Sequence, residues 1–177
     1  MIEQHTTHIA KMIATAAHGA IGQRRKYTGE SYIEHPIAVA EIIKSVSNNQ
    51  MLVAAAYLHD VIEDTALTAR DLRRLVPSAI VALVEEVTDV SQKSDGNRRK
   101  RKEIDRAHLA KASAGAQTIK LADLIDNSSS IIRHDPKFAK IFMSEMRLLL
   151  DVLKWGHADL WQIADRILRD YEGQRTI

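Results

Sequence analysis

The segment Ala54–Thr65, AAAYLHDVIEDT, most constrains what this chain can fold into and do. It opens as an apolar helix and then places one imidazole and three carboxylates within two turns: His59, Asp60, Glu63 and Asp64. In a helix over about 50–63, residues four apart share one face. Because burying unpaired carboxylates is costly, such a cluster needs a cation or many hydrogen-bond donors. A divalent metal held by the adjacent His-Asp pair meets that need.

Two further segments supply candidate metal ligands. His35 precedes a proline that suits the first turn of a helix over Ile37–Val46, so we expect His35 to be the N-cap and to offer a second imidazole. Asp123 lies in the apolar setting of IKLADLIDN and shares a helix face with Asp126 and Asn127. The resulting ligand set is His35, His59, Asp60 and Asp123. Two imidazoles and two carboxylates suit Mn²⁺, Fe²⁺ or Zn²⁺, with positions left for water and substrate.

Composition excludes several other kinds of site and protein. Without cysteine, the chain has no disulfide, thiolate metal site or cysteine nucleophile. A net charge of +2 gives no general argument for nucleic acid. No apolar run approaches the roughly 20 residues of a membrane helix. The first residues lack the apolar stretch of a signal peptide, so we expect a cytoplasmic location.

Helical patterns run along the sequence, and no strand pattern is convincing. We expect an all-α bundle of about 8–10 helices in one domain over 1–177. A first helix is predicted over 3–24, ending near Gly22, and a basic helix over 98–112. The other predicted helices are 50–63 capped by Asn48 or Asn49, a short one from Thr68 to Leu75 with a capping box to Asp71, Ser78–Val87, Gln117–Ile132, Asp135-Pro136 to about Trp155, and Asp159–Tyr171.

Several polar residues allow both a structural and a functional interpretation. His18 lies beside an apolar stripe and is expected to be buried, supporting either the core or the ligands. Asp126 is either a cap or surface ion-pair partner, or part of the site. The basic run Arg98–Lys102 is either a solvated helix face or a device that steers a polyphosphate. The remaining histidines are expected on the surface: His5, His8, His108, His134 and His157.

Three ordered motifs resemble the hydrolase domain of RelA/SpoT proteins, which belong to the HD superfamily of metal-dependent phosphohydrolases. The motifs are HGAIGQRRKYTGESYIEHPIAVAEII, AAYLHDVIEDT and IKLADLIDN. The resemblance covers about residues 5–133 and is nearest to the stand-alone small alarmone hydrolases. It implies an HD-domain helical bundle, which helices over 136–172 would complete.

The resemblance also implies roles for individual residues and a reaction. It implies that the Mn²⁺ ligands are His35, His59, Asp60 and Asp123, with another divalent metal possible. It implies that the pair positioning and activating the attacking water is Glu63 and Asp64. It implies that the substrate-binding residues are Arg25, Lys26 and Asn127. The implied reaction is hydrolysis of the 3′-pyrophosphate of (p)ppGpp, which releases pyrophosphate and GDP or GTP.

The sequence departs from the family pattern on the nucleotide side. Family members usually carry Arg or Lys where this chain has Leu124, and Tyr or His where it has Asp126. The run Ser128–Ser130 could present hydroxyls to a different base edge, so an adenine alarmone such as (p)ppApp is an alternative substrate. A generic HD nucleotide phosphohydrolase and a non-catalytic nucleotide-binding module are further alternatives. The RRK–YIxHP loop disfavours the first, and the intact ligand set disfavours the second. The expected partner is a nucleotide, not nucleic acid or a membrane; the oligomeric state stays open.

Overall fold

The computed structural model describes residues 2–173, with side chains from His5 onward, and the regular elements in that range are helices and one isolated β-bridge. The predicted all-α class is confirmed. The helices are α1 Ile2–Ala20, α2 Glu34–Val46, α3 Gln50–Leu58, α4 Val61–Asp64, α5 Ala69–Leu72, α6 Ser78–Val87, α7 Arg98–Leu109, α8 Ala114–His134, α9 Pro136–Leu150 and α10 Ala158–Gly173, with a 3-10 helix Lys93–Asp95 before α7. The chain forms two compact units that divide between Thr88 and Asp89. The single domain expected over 1–177 stays a prediction.

In the first unit, α3 is the central helix and packs against α1, α2 and α6. Its residues from Leu52 to Leu58 are all buried, as expected for a helix that is apolar on every face. The side chain of Asn49 accepts hydrogen bonds from the backbone amides of Met51 and Leu52, which confirms the predicted cap. The helix α6 spans the predicted Ser78–Val87.

The predicted helix over 50–63 is wrong, because α3 ends at Leu58. His59 and Asp60 form a turn, and the short helix α4 follows. Asp60 has φ −97° and ψ −3°, at the edge of the helical region. The four polar residues therefore do not share one buried face: His59 is buried, whereas Glu63 and Asp64 are exposed.

The end of α1 is fixed by a glycine. Gly22 has φ +61°, which side chains with a Cβ rarely adopt. Its amide donates to the carbonyl of Gly19 at 3.0 Å, and the amide of Gln23 donates to the carbonyl of His18 at 3.1 Å. This pair of bonds is a Schellman motif, which satisfies the last carbonyls of the helix. The helix therefore stops at Ala20 rather than at the predicted residue 24.

The loop between α1 and α2 is held by its own backbone. Arg24 and Ser31 form an antiparallel β-bridge. The amide of Tyr32 donates to the carbonyl of Gln23 at 3.2 Å. These bonds bring the two ends of the loop, residues 23 and 32, next to each other.

The expected N-cap role of His35 is wrong. Helix α2 begins at Glu34, its N-cap is Ile33, and His35 is buried in the first turn. The amide of His35 donates to the carbonyl of Tyr32 at 3.0 Å, so the preceding loop extends the helical turn upstream of Pro36. The proline still lies in the first turn, where its missing N–H is tolerated.

In the second unit, α8, α9 and α10 pack on one another. The predicted cap at Asp135 is confirmed, because its Oδ1 accepts from the amide of Phe138 at 3.1 Å. Helix α7 is bonded to the preceding loop through the side chain of Asp105. The buried carboxylate of Asp105 accepts from the amides of Val90 and Ser91 and from the Ser91 hydroxyl. This fastens α7 to the segment that precedes it.

Most other predicted helices are present with shifted ends. The capping box between Thr68 and Asp71 is confirmed, although α5 stops at Leu72 rather than Leu75. Helix α8 is longer than predicted, and α7 and α9 are shorter. Over residues 2–173, no helix combines the length and apolarity that crossing a membrane requires.

Candidate functional site

Three side chains of the first unit converge on the carboxylate of Asp60. Its Oδ2 lies 3.5 Å from His35 Nε2 and 3.1 Å from His59 Nε2. The hydroxyl of Tyr32 donates to the same oxygen at 2.6 Å. His35 and His59 are 2% and 4% exposed, and a ring nitrogen of one lies within 4.8 Å of a ring nitrogen of the other. Two buried imidazoles and a carboxylate at this spacing form a candidate divalent-metal site.

The orientation of His59 suits a metal ligand. Its Nδ1 lies 2.8 Å from the carbonyl of Ala56, so Nδ1 carries the hydrogen and donates it. In a neutral ring the lone pair would then lie on Nε2, which is 3.1 Å from Asp60 Oδ2. With the ring neutral, both atoms would be acceptors, and a cation beside them would stabilise the arrangement. The donor set therefore fits a divalent metal.

The acidic pair on α4 has an anchor that sequence reasoning missed. Glu63 and Asp64 are both exposed. Asp64 Oδ2 accepts a hydrogen bond from Gln23 Nε2 at 2.8 Å. Gln23 Oε1 accepts one from His18 Nδ1 at 2.7 Å. His18 is 1% exposed, which confirms its expected burial.

Gln23 and Tyr32 are the residues of this cluster that sequence reasoning did not single out. Both lie inside the motif HGAIGQRRKYTGESYIEHPIAVAEII, and membership of that motif was the only feature of the sequence that could have identified them. They are separated from Asp64 and Asp60 by 41 and 28 positions. No periodicity argument connects residues so far apart in the chain.

The two predicted basic contacts, Arg25 and Lys26, lie in the loop between α1 and α2. The Lys26 ammonium donates to the hydroxyl of Tyr27 at 3.1 Å and lies 4.7 Å from the centre of that ring. Arg25 is half-buried and Lys26 is exposed. The structure thus places both in the loop that also provides Gln23 and Tyr32.

In the second unit, Asp123 is buried on α8 between two donors one turn away on either side. Lys120 Nζ donates to Asp123 Oδ2 at 2.8 Å, and Asn127 Nδ2 donates to Asp123 Oδ1 at 2.6 Å. The predicted shared face of Asp123 and Asn127 is therefore present. Lys120 was not singled out from the sequence, although it stands one helical turn before Asp123. Together the two donors fix the orientation of the carboxylate.

A cavity of about 730 Å³ lies beside this face of α8 within the second unit. Asp123, Leu124 and Asn127 line one wall, α7 supplies basic side chains, and α9 supplies apolar ones. Two members of the basic run are already paired. Arg98 donates twice to Glu145, at 2.7 Å each, and Lys102 donates to Asp89 at 2.5 Å. The Glu145 bond raises the pKa of Arg98, against partial burial that lowers it. At these two positions the run is engaged in ion pairs within the unit.

The two serines after Asn127 bond to the backbone of their own helix. Ser128 is buried, and its hydroxyl donates to the carbonyl of Leu124 at 2.5 Å. The hydroxyl of Ser129 donates to the carbonyl of Asp126 at 3.0 Å. Because serine hydroxyls readily bond to the preceding helical turn, this outcome follows from local chemistry. The buried hydroxyl of Ser128 is therefore not presented to a base, whereas for the exposed Ser129 that role stays a prediction.

Comparison with known proteins identifies the class to which this fold and site belong. Residues 10–140 match the family model of the HD domain. The solved structure of a metazoan SpoT orthologue, described as hydrolysing ppGpp, has a TM-score of 0.83 and 29% identity, and covers 94% of this chain and 95% of that chain. A structure from Listeria monocytogenes, with a TM-score of 0.65 and 20% identity, covers 80% of this chain and 98% of that chain and shares the fold. The chain belongs to the HD-domain family, as its motifs predicted.

Within this family, the chain is similar to several proteins named as alarmone hydrolases. The mouse guanosine-3′,5′-bis(diphosphate) 3′-pyrophosphohydrolase MESH1 is 37% identical over 124 residues, which cover 68% of this chain and 68% of the mouse protein. The Drosophila melanogaster MESH1 is 40% identical over 108 residues, which cover 59% of each chain. A probable guanosine-3′,5′-bis(diphosphate) 3′-pyrophosphohydrolase from Synechocystis is 32% identical over 118 residues, and the match spans 16% of its length.

Proposed function

We propose that this protein is a metal-dependent 3′-pyrophosphohydrolase of guanosine alarmones, which converts (p)ppGpp to pyrophosphate and GDP or GTP. One observation carries the proposal: the buried His35 and His59 and the half-buried Asp60 form a cluster that is followed at once by an exposed acidic pair. The activity for which the MESH1 relatives are named supports the choice of substrate. We also propose a cytoplasmic location, as expected from the sequence.

We assign the metal to His35, His59, Asp60 and Asp123, with Mn²⁺ as the expected ion. The contacts of the first three support their assignment. Asp123 is assigned from the motif resemblance and from its burial on α8. When bound, the ion would polarise the phosphoryl group and lower the pKa of a water molecule.

The remaining roles fall to residues with access to solvent. Glu63 or Asp64 accepts the proton of the attacking water. Arg25 and Lys26 offset the charge of the substrate phosphates. Asn127, already fixed by Asp123, is assigned to the ribose and base. Each role matches the position of these residues in the family motifs.

The test is purified protein with Mn²⁺ and a panel of ppGpp, pppGpp, ppApp and plain GDP, with products separated by chromatography. We expect pyrophosphate and GDP from ppGpp, and no turnover of GDP. Stepwise release of inorganic phosphate, or no turnover of any 3′-pyrophosphate, would contradict the proposal.

Two variants complete the test. His59→Ala removes a proposed ligand, so Mn²⁺ content and activity should fall together. His8→Ala is the matched control, because His8 is exposed on α1. A His59→Ala protein with full metal content would exclude His59 from the ligands.

A further inference from the structure

The first unit contains a chain of hydrogen bonds from its interior to the acidic pair. His18 Nδ1 donates to Gln23 Oε1 at 2.7 Å, and Gln23 Nε2 donates to Asp64 Oδ2 at 2.8 Å. The direction is fixed, because a carboxylate only accepts, so the amide must present its nitrogen to Asp64 and its oxygen to His18. A buried histidine thus determines how Gln23 faces an exposed carboxylate.

The backbone reinforces the same pairing. In the Schellman motif at the end of α1, the amide of Gln23 donates to the carbonyl of His18. The two residues are therefore joined by one backbone bond and one side-chain bond. Because the backbone and the side chain of Gln23 are both bonded to His18, the side chain loses little further conformational freedom when it bonds to Asp64.

His18 also contacts the other side of the cluster. Its ring centre lies 4.7 Å from that of Tyr32, whose hydroxyl donates to Asp60. The carbonyl of Gln23 accepts the amide of Tyr32. His18 is thus next to both residues that hold the site's carboxylates, Gln23 for Asp64 and Tyr32 for Asp60.

We propose that Gln23, held by His18, is a positioning residue for Asp64. The bond to Gln23 occupies Oδ2 of Asp64, fixes the carboxylate plane, and leaves Oδ1 to accept the proton of the attacking water. This inference rests on the proposed function and assigns the proton-accepting role within the acidic pair to Asp64. An unheld, exposed carboxylate at the end of a four-residue helix would sample several rotamers, and small misplacements of reacting groups cost large factors in rate.

The first test compares two substitutions of one residue. Gln23→Met keeps the length of the side chain but removes both hydrogen bonds, and we expect kcat to fall about 10- to 100-fold with KM little changed. Gln23→Glu keeps the acceptor for His18 but sets a second carboxylate against Asp64. A positioning role predicts that Gln23→Glu is at least as impaired as Gln23→Met. Recovery of kcat in Gln23→Glu would show that only the bond to His18 matters and would overturn the proposal.

The second test is a double-mutant cycle with Asp64→Asn. If Gln23 acts through Asp64, adding Gln23→Met to Asp64→Asn should lower kcat by less than about 3-fold further. Fully additive losses would overturn the proposal. Gln50→Met is the matched control, because Gln50 bonds to Thr7 at the start of α3, away from the acidic pair. We expect Gln50→Met to keep wild-type kcat.

A third measurement does not depend on the reaction. In NMR spectra, the side-chain amide protons of Gln23 should shift in both His18→Asn and Asp64→Asn, but not in Gln50→Met. If the wild type hydrolyses no alarmone while these shifts occur, the proposed function fails and the hydrogen-bond chain stands. If hydrolysis occurs and the Gln23 amide does not respond to Asp64→Asn, the positioning proposal fails alone.

Discussion

At the scale of single residues, the cluster around Asp60 depends on a tyrosine as much as on histidines. The Tyr32 hydroxyl lies 2.6 Å from Asp60 Oδ2, closer than His59 Nε2 at 3.1 Å or His35 Nε2 at 3.5 Å. A hydrogen bond from a phenol to a carboxylate is short and strong compared with neutral pairs. It directs one oxygen of Asp60 toward the two imidazoles, so Tyr32 controls the orientation of a proposed ligand.

We therefore predict that Tyr32→Phe weakens Mn²⁺ binding about 10- to 100-fold, the usual effect of removing a residue that orients a ligand. The dissociation constant would be measured by calorimetry. Tyr57→Phe is the matched control, since the Tyr57 hydroxyl bonds to Lys44 rather than to Asp60. Equal affinities in the two variants would show that the Tyr32 hydroxyl does not orient the ligand.

A second residue-scale prediction concerns base choice. Leu124 lines the cavity of the second unit and is 3% exposed. The motif resemblance implies a cation at this position. Since the Ser128 hydroxyl is buried and bonded to the backbone, we test a changed base preference at Leu124. We expect wild-type kcat/KM for ppGpp and ppApp to differ by less than roughly 100-fold, about 2.7 kcal/mol.

Leu124→Arg should then move the preference toward guanine. Unfolding must be measured alongside, because a buried unpaired charge destabilises. Leu124→Met conserves volume and serves as the apolar control. A guanine preference above roughly 100-fold that Leu124→Arg leaves unchanged would mean an ordinary guanine alarmone hydrolase.

At the scale of elements, the end of α1 determines where Gln23 lies. Gly22→Ala should cost about 1–2 kcal/mol of unfolding free energy, because Gly22 has φ +61°. No neighbouring atom lies within 4 Å of the added Cβ, so the cost is in the backbone alone. By moving Gln23, the substitution should also lower kcat.

Gly19→Ala is the matched control three residues earlier. Gly19 lies within α1, and a Cβ there also meets nothing within 4 Å. This substitution should stabilise the protein by roughly 0.5–1 kcal/mol. Denaturant unfolding of the pair gives the comparison; equal effects would show that the left-handed turn is not required.

The same elements show what the sequence could predict. Caps such as Asn49 and Asp135 were predictable, because the capping side chain and its amide are two or three residues apart. The start of α2 and the end of α3 could not be predicted. Helical periodicity says nothing about bonds to loop carbonyls or about the contact between Asp60 and the distant Tyr32. The types of the proposed ligands could be chosen from composition and motifs. The bond between Gln23 and Asp64 could not, because it joins residues 41 positions apart.

At the scale of the whole molecule, the proposed ligands are distributed over both compact units. His35, His59 and Asp60 belong to the first unit and Asp123 to the second. A ligand that binds only the folded state stabilises whatever must be folded to bind it. The regions that metal binding protects from unfolding should therefore differ between a ligand set that includes Asp123 and one that does not.

We predict that Mn²⁺ slows amide hydrogen exchange both at the end of α3 and around Asp123 on α8. At a free Mn²⁺ concentration of 100 times the dissociation constant, the gain is about 2.7 kcal/mol, or roughly 100-fold slower exchange for amides that open globally. Asp123→Asn should confine the protection to the first unit, whereas Asp151→Asn, an exposed acid just after α9, should leave it unchanged. Protection limited to the first unit in the wild type would remove Asp123 from the ligand set, and a metal site of three residues would remain.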